Sequence, residues 1–264
     1  MIVNDGMYFE DGKGYFVERN TGDIYVFDIA NQSVCLIDCL DSTESGFRKY
    51  RKLLKKNDEI FCLPDCDKKL KIYNINTKES SYIEIGEKER QCIVHAWAIS
   101  NTIFVGLPLE NSILEISHEN DAWKMNKYKI FHDGEDICAQ ESCYRDGKIY
   151  SISLNSTKIA VFDILNKNVE LYDISVNDKG FSSIACSEKE IFVTGINREI
   201  YVLDKVDCKV KKSIQINNKV FFKNIEKGKF TFSSSIYYDK KLYLTAAYFN
   251  ESIVCLNLGD YTIR

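Results

Sequence analysis

The sequence predicts an all-β protein built from six copies of one strand unit. Each copy opens with an aromatic residue in an apolar strand and ends, 12 to 14 residues later, with Asp, Asn or Ser at the close of a second strand. Consecutive aromatics are 46, 43, 46, 42 and 51 residues apart, a period typical of repeated β architectures. The aromatics are Tyr15, Phe61, Phe104, Tyr150, Phe192 and Tyr243; the closing residues are Asp28, Asn74, Ser117, Asp163, Asp204 and Asn257.

Each unit contains enough sequence for four strands. The closing strand is short and rich in β-branched and aromatic residues, as in Ile24–Asp28. A two-residue turn such as Asp146-Gly147 precedes each aromatic strand and predicts an earlier strand paired with it, and a fourth strand follows, as in residues 169–174. Four antiparallel strands in units of about 44 residues predict a six-bladed β-propeller. A β-solenoid is the alternative, although its coils are normally shorter.

The repeats run from end to end without a linker rich in Pro, Gly or Ser, so we predict a single domain over residues 1–264. Two ways of completing it are open: the sixth blade packs on the first, or Ile2 and Val3 pair with the last strand. The predicted blades cover approximately residues 2–41, 42–88, 89–132, 133–177, 178–217 and 218–264.

Over essentially the whole chain, this pattern resembles the six-bladed β-propeller superfamily. It does not resemble one subfamily, because the sequence lacks the WD dipeptide of WD40 repeats, the paired glycines of kelch repeats and a YWTD run. The resemblance therefore implies a fold and transfers no functional residues. Propellers host unrelated activities, so function has to be argued from the site.

Composition narrows the classes of partner. The net charge is -4, from 39 acidic and 35 basic residues, which is too balanced for a protein that binds a phosphate backbone, so we expect no nucleic-acid partner. The first residues contain no apolar run of signal-peptide length, and no stretch approaches the roughly 18 apolar residues of a membrane helix. We expect a soluble, cytoplasmic protein with no membrane partner.

The ten cysteines are dispersed along the chain, several of them at apolar strand positions such as Cys62, Cys186 and Cys255. A secreted disulfide framework is typical of smaller domains. We therefore predict that all ten are reduced and that several pack in the core.

Candidate ligand-binding positions lie nine or ten residues before each aromatic. In a propeller the innermost strands begin around the mouth of the central channel, where ligands usually bind. Polar residues there, in otherwise apolar strands, favour a ligand site, although a water-lined channel also tolerates Ser, Gln and Asp. The positions are Asp5 and Gly6, Arg51 and Lys52, Val94 and His95, Gln140 and Glu141, Ser182 and Ser183, and Ser233 and Ser234.

His95 is the candidate acid or base, because an imidazole in an apolar strand needs a hydrogen-bond partner or a ligand. A histidine bonded to a neighbouring carbonyl is the structural interpretation. His132 and Glu141 would complete a pattern of two histidines and a carboxylate that zinc or iron uses. A solvated acidic turn explains His132 better, so we predict no metal site; whether a cofactor binds is unknown from the sequence.

A basic segment precedes the aromatic of the second blade. Arg48, Arg51 and Lys52 alternate with aromatics there and suit a carboxylate or phosphate, although a solvated loop has the same composition. The longest connection contains Phe221 and Phe222, which form a lid or contact surface or fold back onto the blades.

These observations favour a binding module that engages a protein, a peptide or an anionic small molecule at the channel mouth. The predicted binding residues are Asp5, Arg48, Arg51, Lys52, Gln140, Ser183 and Ser234. The alternative is an enzyme, a lyase or hydrolase acting on an anionic substrate. His95 would then be the acid or base, Glu141 its partner, and the basic segment the anion clamp.

Overall fold

A computed structural model describes residues 8–18, 21–38, 50–65, 67–88, 91, 93, 95–120, 122–130, 139–197, 199–216, 232–246, 253–259 and 262–263. These residues are mostly β-strand. Their helical structure is limited to a 3-10 turn, Pro108–Glu110. Over these ranges there is no helix with the length and apolar character needed to cross a membrane.

The chain divides into two compact units, Met1–Tyr128 and Lys129–Arg264. The first unit holds three four-stranded antiparallel sheets, each with its strands in chain order. The strands of blade one are β1 (Tyr8–Glu10), β2 (Lys13–Val17), β3 (Ile24–Asp28) and β4 (Ser33–Asp38); those of blade two are β5 (Tyr50–Lys56), β6 (Glu59–Pro64), β7 (Lys69–Asn74) and β8 (Ser80–Glu84); those of blade three are β9 (Ala96–Ile99), β10 (Thr102–Leu107), β11 (Ser112–Glu119) and β12 (Ala122–Lys129).

The second unit repeats this organisation in three further sheets. The strands of blade four are β13 (Ala139–Arg145), β14 (Lys148–Ser153), β15 (Ser156–Asp163) and β16 (Asn168–Asp173); those of blade five are β17 (Phe181–Cys186), β18 (Glu190–Gly195), β19 (Glu199–Asp204) and β20 (Val210–Gln215); those of blade six are β21 (Phe232–Tyr238), β22 (Lys241–Ala246), β23 (Ile253–Asn257) and β24 (Thr262–Ile263). The predicted fold class, a six-bladed β-propeller of four-stranded antiparallel blades, is confirmed. The proposed pairing of Ile2 and Val3 falls outside the described residues.

The middle strands of a blade are apolar on both faces. In blade five, Ile191 and Val193 belong to the core shared with blade four, whereas Phe192 belongs to the core shared with blade six. Alternate residues of a strand point to opposite faces of the sheet, so a blade that packs on two neighbours needs apolar residues at consecutive positions. This requirement explains continuous apolar runs such as residues 191–193.

In several repeats the recurring aromatic contributes to the contact between one blade and the next. Phe61 of blade two meets Trp123 of blade three edge to face, with ring centroids 6.0 Å apart. Phe192 of blade five stacks on Tyr237 of blade six at 5.9 Å. Tyr150 lies in the core that blades four and five share. At these three positions the recurrence in the sequence therefore reflects packing between blades.

The closing Asp or Asn of the repeat caps the turn into the fourth strand. Oδ1 of Asp163 accepts hydrogen bonds from the backbone N–H groups of Leu165 and Asn166, both at 2.9 Å. Such side-chain bonds substitute for backbone pairing at a turn. Equivalent turn bonds are accepted by Asp28, Asn74, Asp204 and Asn257.

Blade three departs from this pattern. The predicted strand end at Ser117 is wrong, because β11 continues to Glu119 and turns at Asn120, which has a φ of 51°. A left-handed Asn makes this tight turn without the Asx cap, and β12 is correspondingly eight residues long. The hairpin of β11 and β12 therefore extends beyond the repeat pattern.

Replacing Phe192 with Ala should lower the free energy of unfolding by about 3 to 5 kcal/mol, because the change removes a fully buried ring and leaves a cavity between two blades. Urea unfolding measures this loss. Tyr238, which is 70% exposed on β21, is the matched control, and its replacement by Ala should change stability by less than about 0.5 kcal/mol. Equal losses in the two variants would contradict the packing role of Phe192.

Replacing Asp163 with Asn should make stability less sensitive to acid. Backbone hydrogen bonding, chiefly from Asn166, lowers the pKa of Asp163 below its ordinary value of 3.8. The stability from this carboxylate is fully present above that ordinary value and is lost as the pH falls through the lower folded value. Asn keeps the acceptor and does not titrate, so the variant should lose less stability than the parent between about pH 5 and pH 2.

Denaturation midpoints measured across this pH range test the prediction. Asp173→Asn, at the end of the outer strand of the same blade, is the control. If the denaturation midpoints of the parent and of Asp163→Asn fall equally as the pH is lowered, the cap is not the source of the pH dependence.

Candidate functional site

The candidate positions coincide with an irregularity that recurs in the innermost strands. In blade two, Tyr50 lies opposite Pro64 and Lys52 lies opposite Leu63, so Arg51 is an extra residue in the ladder. A bulge of this kind bends the strand and re-aims its side chains. The same shift lies between Ala139 and Glu141, between Phe181 and Ser183, and between Phe232 and Ser234.

The strand register shows that one residue of each described candidate pair occupies the same position in its blade. It lies opposite the second residue after the blade's aromatic. In blade three this equivalence rests on the backbone N–H of Gly106, which donates to the carbonyl of His95 at 3.0 Å. The equivalent residues are Lys52, His95, Glu141, Ser183 and Ser234. One backbone position thus carries a cation, an imidazole, a carboxylate or a hydroxyl, depending on the blade.

His95 presents a buried nitrogen without a partner. The residue directly precedes β9, and its ring stacks on Trp97 with the centroids 6.0 Å apart. Nε2 is buried and has no hydrogen-bond partner among the described residues. Burial holds the pKa of His95 well below its ordinary value of 6.5, and the charges of Lys52 and Arg51 lower it further. The imidazole is therefore neutral at pH 7.

Arg51 and Lys52 supply positive charge beside His95. Nη1 of Arg51 lies 3.7 Å from Oδ1 of Asp65, whose side chain is buried. The Arg51 side chain is 30% exposed. This part of the first unit thus combines two cations with an uncharged imidazole, an arrangement suited to an anionic group.

Glu141 performs a structural task in the second unit. Its side chain is almost fully buried on β13, and Oε2 accepts a hydrogen bond from the backbone N–H of Ile184 on β17 at 3.0 Å. This bond satisfies a backbone donor on the edge of an innermost strand. The catalytic roles of His95 and Glu141 stay a prediction.

The serines at the equivalent position are bonded within their own sheets. Ser183 is buried, and its hydroxyl lies 2.5 Å from Oγ1 of Thr194, which also lies 3.0 Å from the hydroxyl of Ser182. In blade six, the hydroxyl of Thr245 donates to the carbonyl of Ser234 at 3.3 Å. These hydroxyls therefore stabilise the starts of the innermost strands.

Several predicted site residues fall outside the described residues: Asp5, Arg48, His132, Phe221 and Phe222. For Gln140, only the backbone is described. Across the described ranges, no three His, Cys, Asp or Glu side chains form a group that could hold a metal ion.

Two site residues were missed by the sequence reasoning. Trp97 lies two positions after His95, so strand periodicity could have placed both rings on one side of the strand. Asp65 directly follows β6, and no sequence signal pairs it with Arg51, because the bulge at Arg51 decides the direction of that side chain.

The fold and these positions define a class of protein: a six-bladed β-propeller with polar and charged residues at the starts of its innermost strands. No family model matches the chain, and no curated protein matches its sequence. Solved structures with the same fold are similar over nearly the whole chain.

One similar structure is a chain of the mitotic checkpoint complex, with a TM-score of 0.71 and 9% identity over 100% of this chain and 77% of that one. BamB from Moraxella catarrhalis gives a TM-score of 0.65 and 11% identity over 99% of this chain and 74% of that chain. Apo AztD from Citrobacter koseri gives 0.59 and 10% identity over 98% and 84%. At these identities the likeness establishes the fold alone.

Replacing Glu141 with Ala should lower the free energy of unfolding by about 1 to 3 kcal/mol, because the buried N–H of Ile184 loses its acceptor. Glu141→Gln retains a carbonyl acceptor and should recover much of this loss. Urea unfolding of both variants makes the comparison, with the exposed Glu188→Ala as the control. A Gln variant as unstable as the Ala variant would show that the charge, and not the acceptor, is required.

Proposed function

We propose that this protein is a binding module that recognises an anionic group at the starts of the innermost strands of blades two and three. Arg51 and Lys52 provide the attraction, and His95 provides an orienting hydrogen bond. The ligand group is a carboxylate or phosphate carried by a protein, a peptide or a small molecule. The proposal includes a cytoplasmic location, as expected from the sequence.

The observation that carries this proposal is the buried Nε2 of His95, which has no hydrogen-bond partner within the described part of the chain. Buried polar atoms in folded proteins nearly always have a hydrogen-bond partner, so an orphaned one needs an explanation. A ligand oxygen would supply that partner. The adjacent cations indicate that the oxygen belongs to an anion.

The similar structures support a binding role at the level of the fold. One of them belongs to a protein complex. The enzyme alternative requires Glu141 as the partner of His95. Because the Glu141 carboxylate already bonds the backbone of Ile184, a binding function is favoured.

Binding of an anion should be coupled to uptake of a proton by His95. Burial lowers the pKa of His95 most, and the positive charges of Lys52 and then Arg51 lower it further. An anion placed beside them offsets their field and bonds the protonated ring, so the pKa of His95 rises in the complex. Affinity should therefore increase as the pH falls from the pKa of His95 in the complex toward its lower pKa in the free protein.

Titration of the histidine ring signals by NMR tests this proposal directly. The chain has three histidines, and His95→Gln identifies the signal of interest. Inorganic phosphate and a glutamate-rich peptide, added separately at constant ionic strength, should shift the His95 signal saturably and raise its pKa. A shift with phosphate alone assigns the ligand group to a phosphate, and a shift with the peptide alone assigns it to a carboxylate.

Lys52→Ala should weaken the affinity for the anion, measured from the saturation of the His95 signal, by roughly ten- to hundredfold, because one charge-assisted contact is lost. Lys212→Ala, which removes an exposed lysine from the outer strand of blade five, should leave it unchanged. An unmoved His95 signal with both probes, or equal affinities for the Lys52 and Lys212 variants, would overturn the proposal.

A further inference from the structure

Two cysteines meet where the innermost strands of blades four and five adjoin. Sγ of Cys143 on β13 lies 2.8 Å from Sγ of Cys186 on β17. The Glu141 bond to Ile184 lies two residues earlier on both strands, so the two contacts form consecutive rungs between them. The sulfur separation exceeds a disulfide bond of about 2.05 Å by less than 1 Å.

The two cysteines differ in burial from each other, and they occupy a contact that is apolar between the next two blades. Cys143 is half-buried, Cys186 is at the limit of burial, and Cys208 is buried in the same core cluster. At the corresponding contact between blades five and six, apolar Ala185 packs with Tyr237. A thiol pair therefore stands where another blade has ordinary apolar packing.

We propose that Cys143 and Cys186 form a reversible disulfide between blades four and five when the protein meets a peroxide. The sulfur of the more exposed Cys143 attacks one oxygen of hydrogen peroxide, the O–O bond breaks, and a sulfenic acid and one water form. The sulfur of Cys186 then attacks the sulfenic sulfur of Cys143. The S–S bond forms, the S–O bond breaks, and the oxygen leaves as a second water that includes the proton of the Cys186 thiol. The two thiols lose two electrons in total, and a thiol reductant reverses the reaction.

The environment of Cys143 makes its thiol slow to react. Burial and the bond to Cys186 raise the pKa of Cys143 well above its ordinary value, and burial raises the pKa of Cys208 to about 12. The thiolate is the reactive form, so the raised pKa slows the attack of Cys143 on an oxidant.

Peroxide treatment of the full chain, followed by blocking of free thiols in denaturant and peptide mass spectrometry, tests the proposal. We expect one crosslinked peptide pair joining Cys143 to Cys186, 2 Da lighter than the reduced pair and restored by dithiothreitol. Crosslinking closes a loop over a separation of 43 residues, so Tm should rise by roughly 5 to 15 °C.

Cys143→Ala and the milder Cys143→Ser should each abolish both the crosslink and the oxidant-dependent rise in Tm. Cys35→Ser, which removes an exposed thiol from β4, should change neither. A crosslink of Cys186 to Cys208 or to any other cysteine would overturn the assignment. Oxidation that gives only sulfinic or sulfonic acids would overturn it as well.

Discussion

Packing of blade on blade is the constraint on which the rest of this structure depends. A four-stranded sheet that contacts a neighbour on each face must bury consecutive residues of its middle strands, and burial of each large apolar side chain contributes about 1.5 to 3 kcal/mol. Phe61 and Phe192 fill such contacts in the two units. This constraint favours apolar residues in the middle strands, where buried polar residues such as Lys71 and Ser151 are exceptions, and places other polar residues at the strand ends, the turns and the innermost edges.

At those innermost edges, the described polar residues mostly form hydrogen bonds within their own blade or to the next one. Glu141 accepts a backbone N–H from the neighbouring blade, and Ser183 shares its hydroxyl with Thr194. Both bonds satisfy groups that would otherwise be buried without partners, which is costly in a low-dielectric interior. A polar residue at this position is thus often explained by its own blade or the next one.

His95 differs because its buried Nε2 finds no hydrogen-bond partner in the residues that the structure describes. The bulge at Arg51 shifts the ladder by one residue and places two consecutive cations near the ring. Burial and these charges act in the same direction, and both keep the imidazole neutral. A bound anion would raise the pKa of His95 again, so the protonation of this site depends on its ligand. The uncharged hydroxyl of Ser183 has no such dependence.

The sequence by itself determined the six repeats, the four strands of each and the inner-strand positions that carry polar residues, because strand alternation, turn residues and Asx caps are local signals. It also singled out His95, an imidazole in an apolar strand. Tertiary structure alone decided which polar groups are satisfied: Glu141 by Ile184, Arg51 by Asp65, Cys143 beside Cys186. These pairings join residues that are distant in sequence or separated by a bulge, and their geometry depends on how adjacent strands and blades are aligned, which no local pattern records.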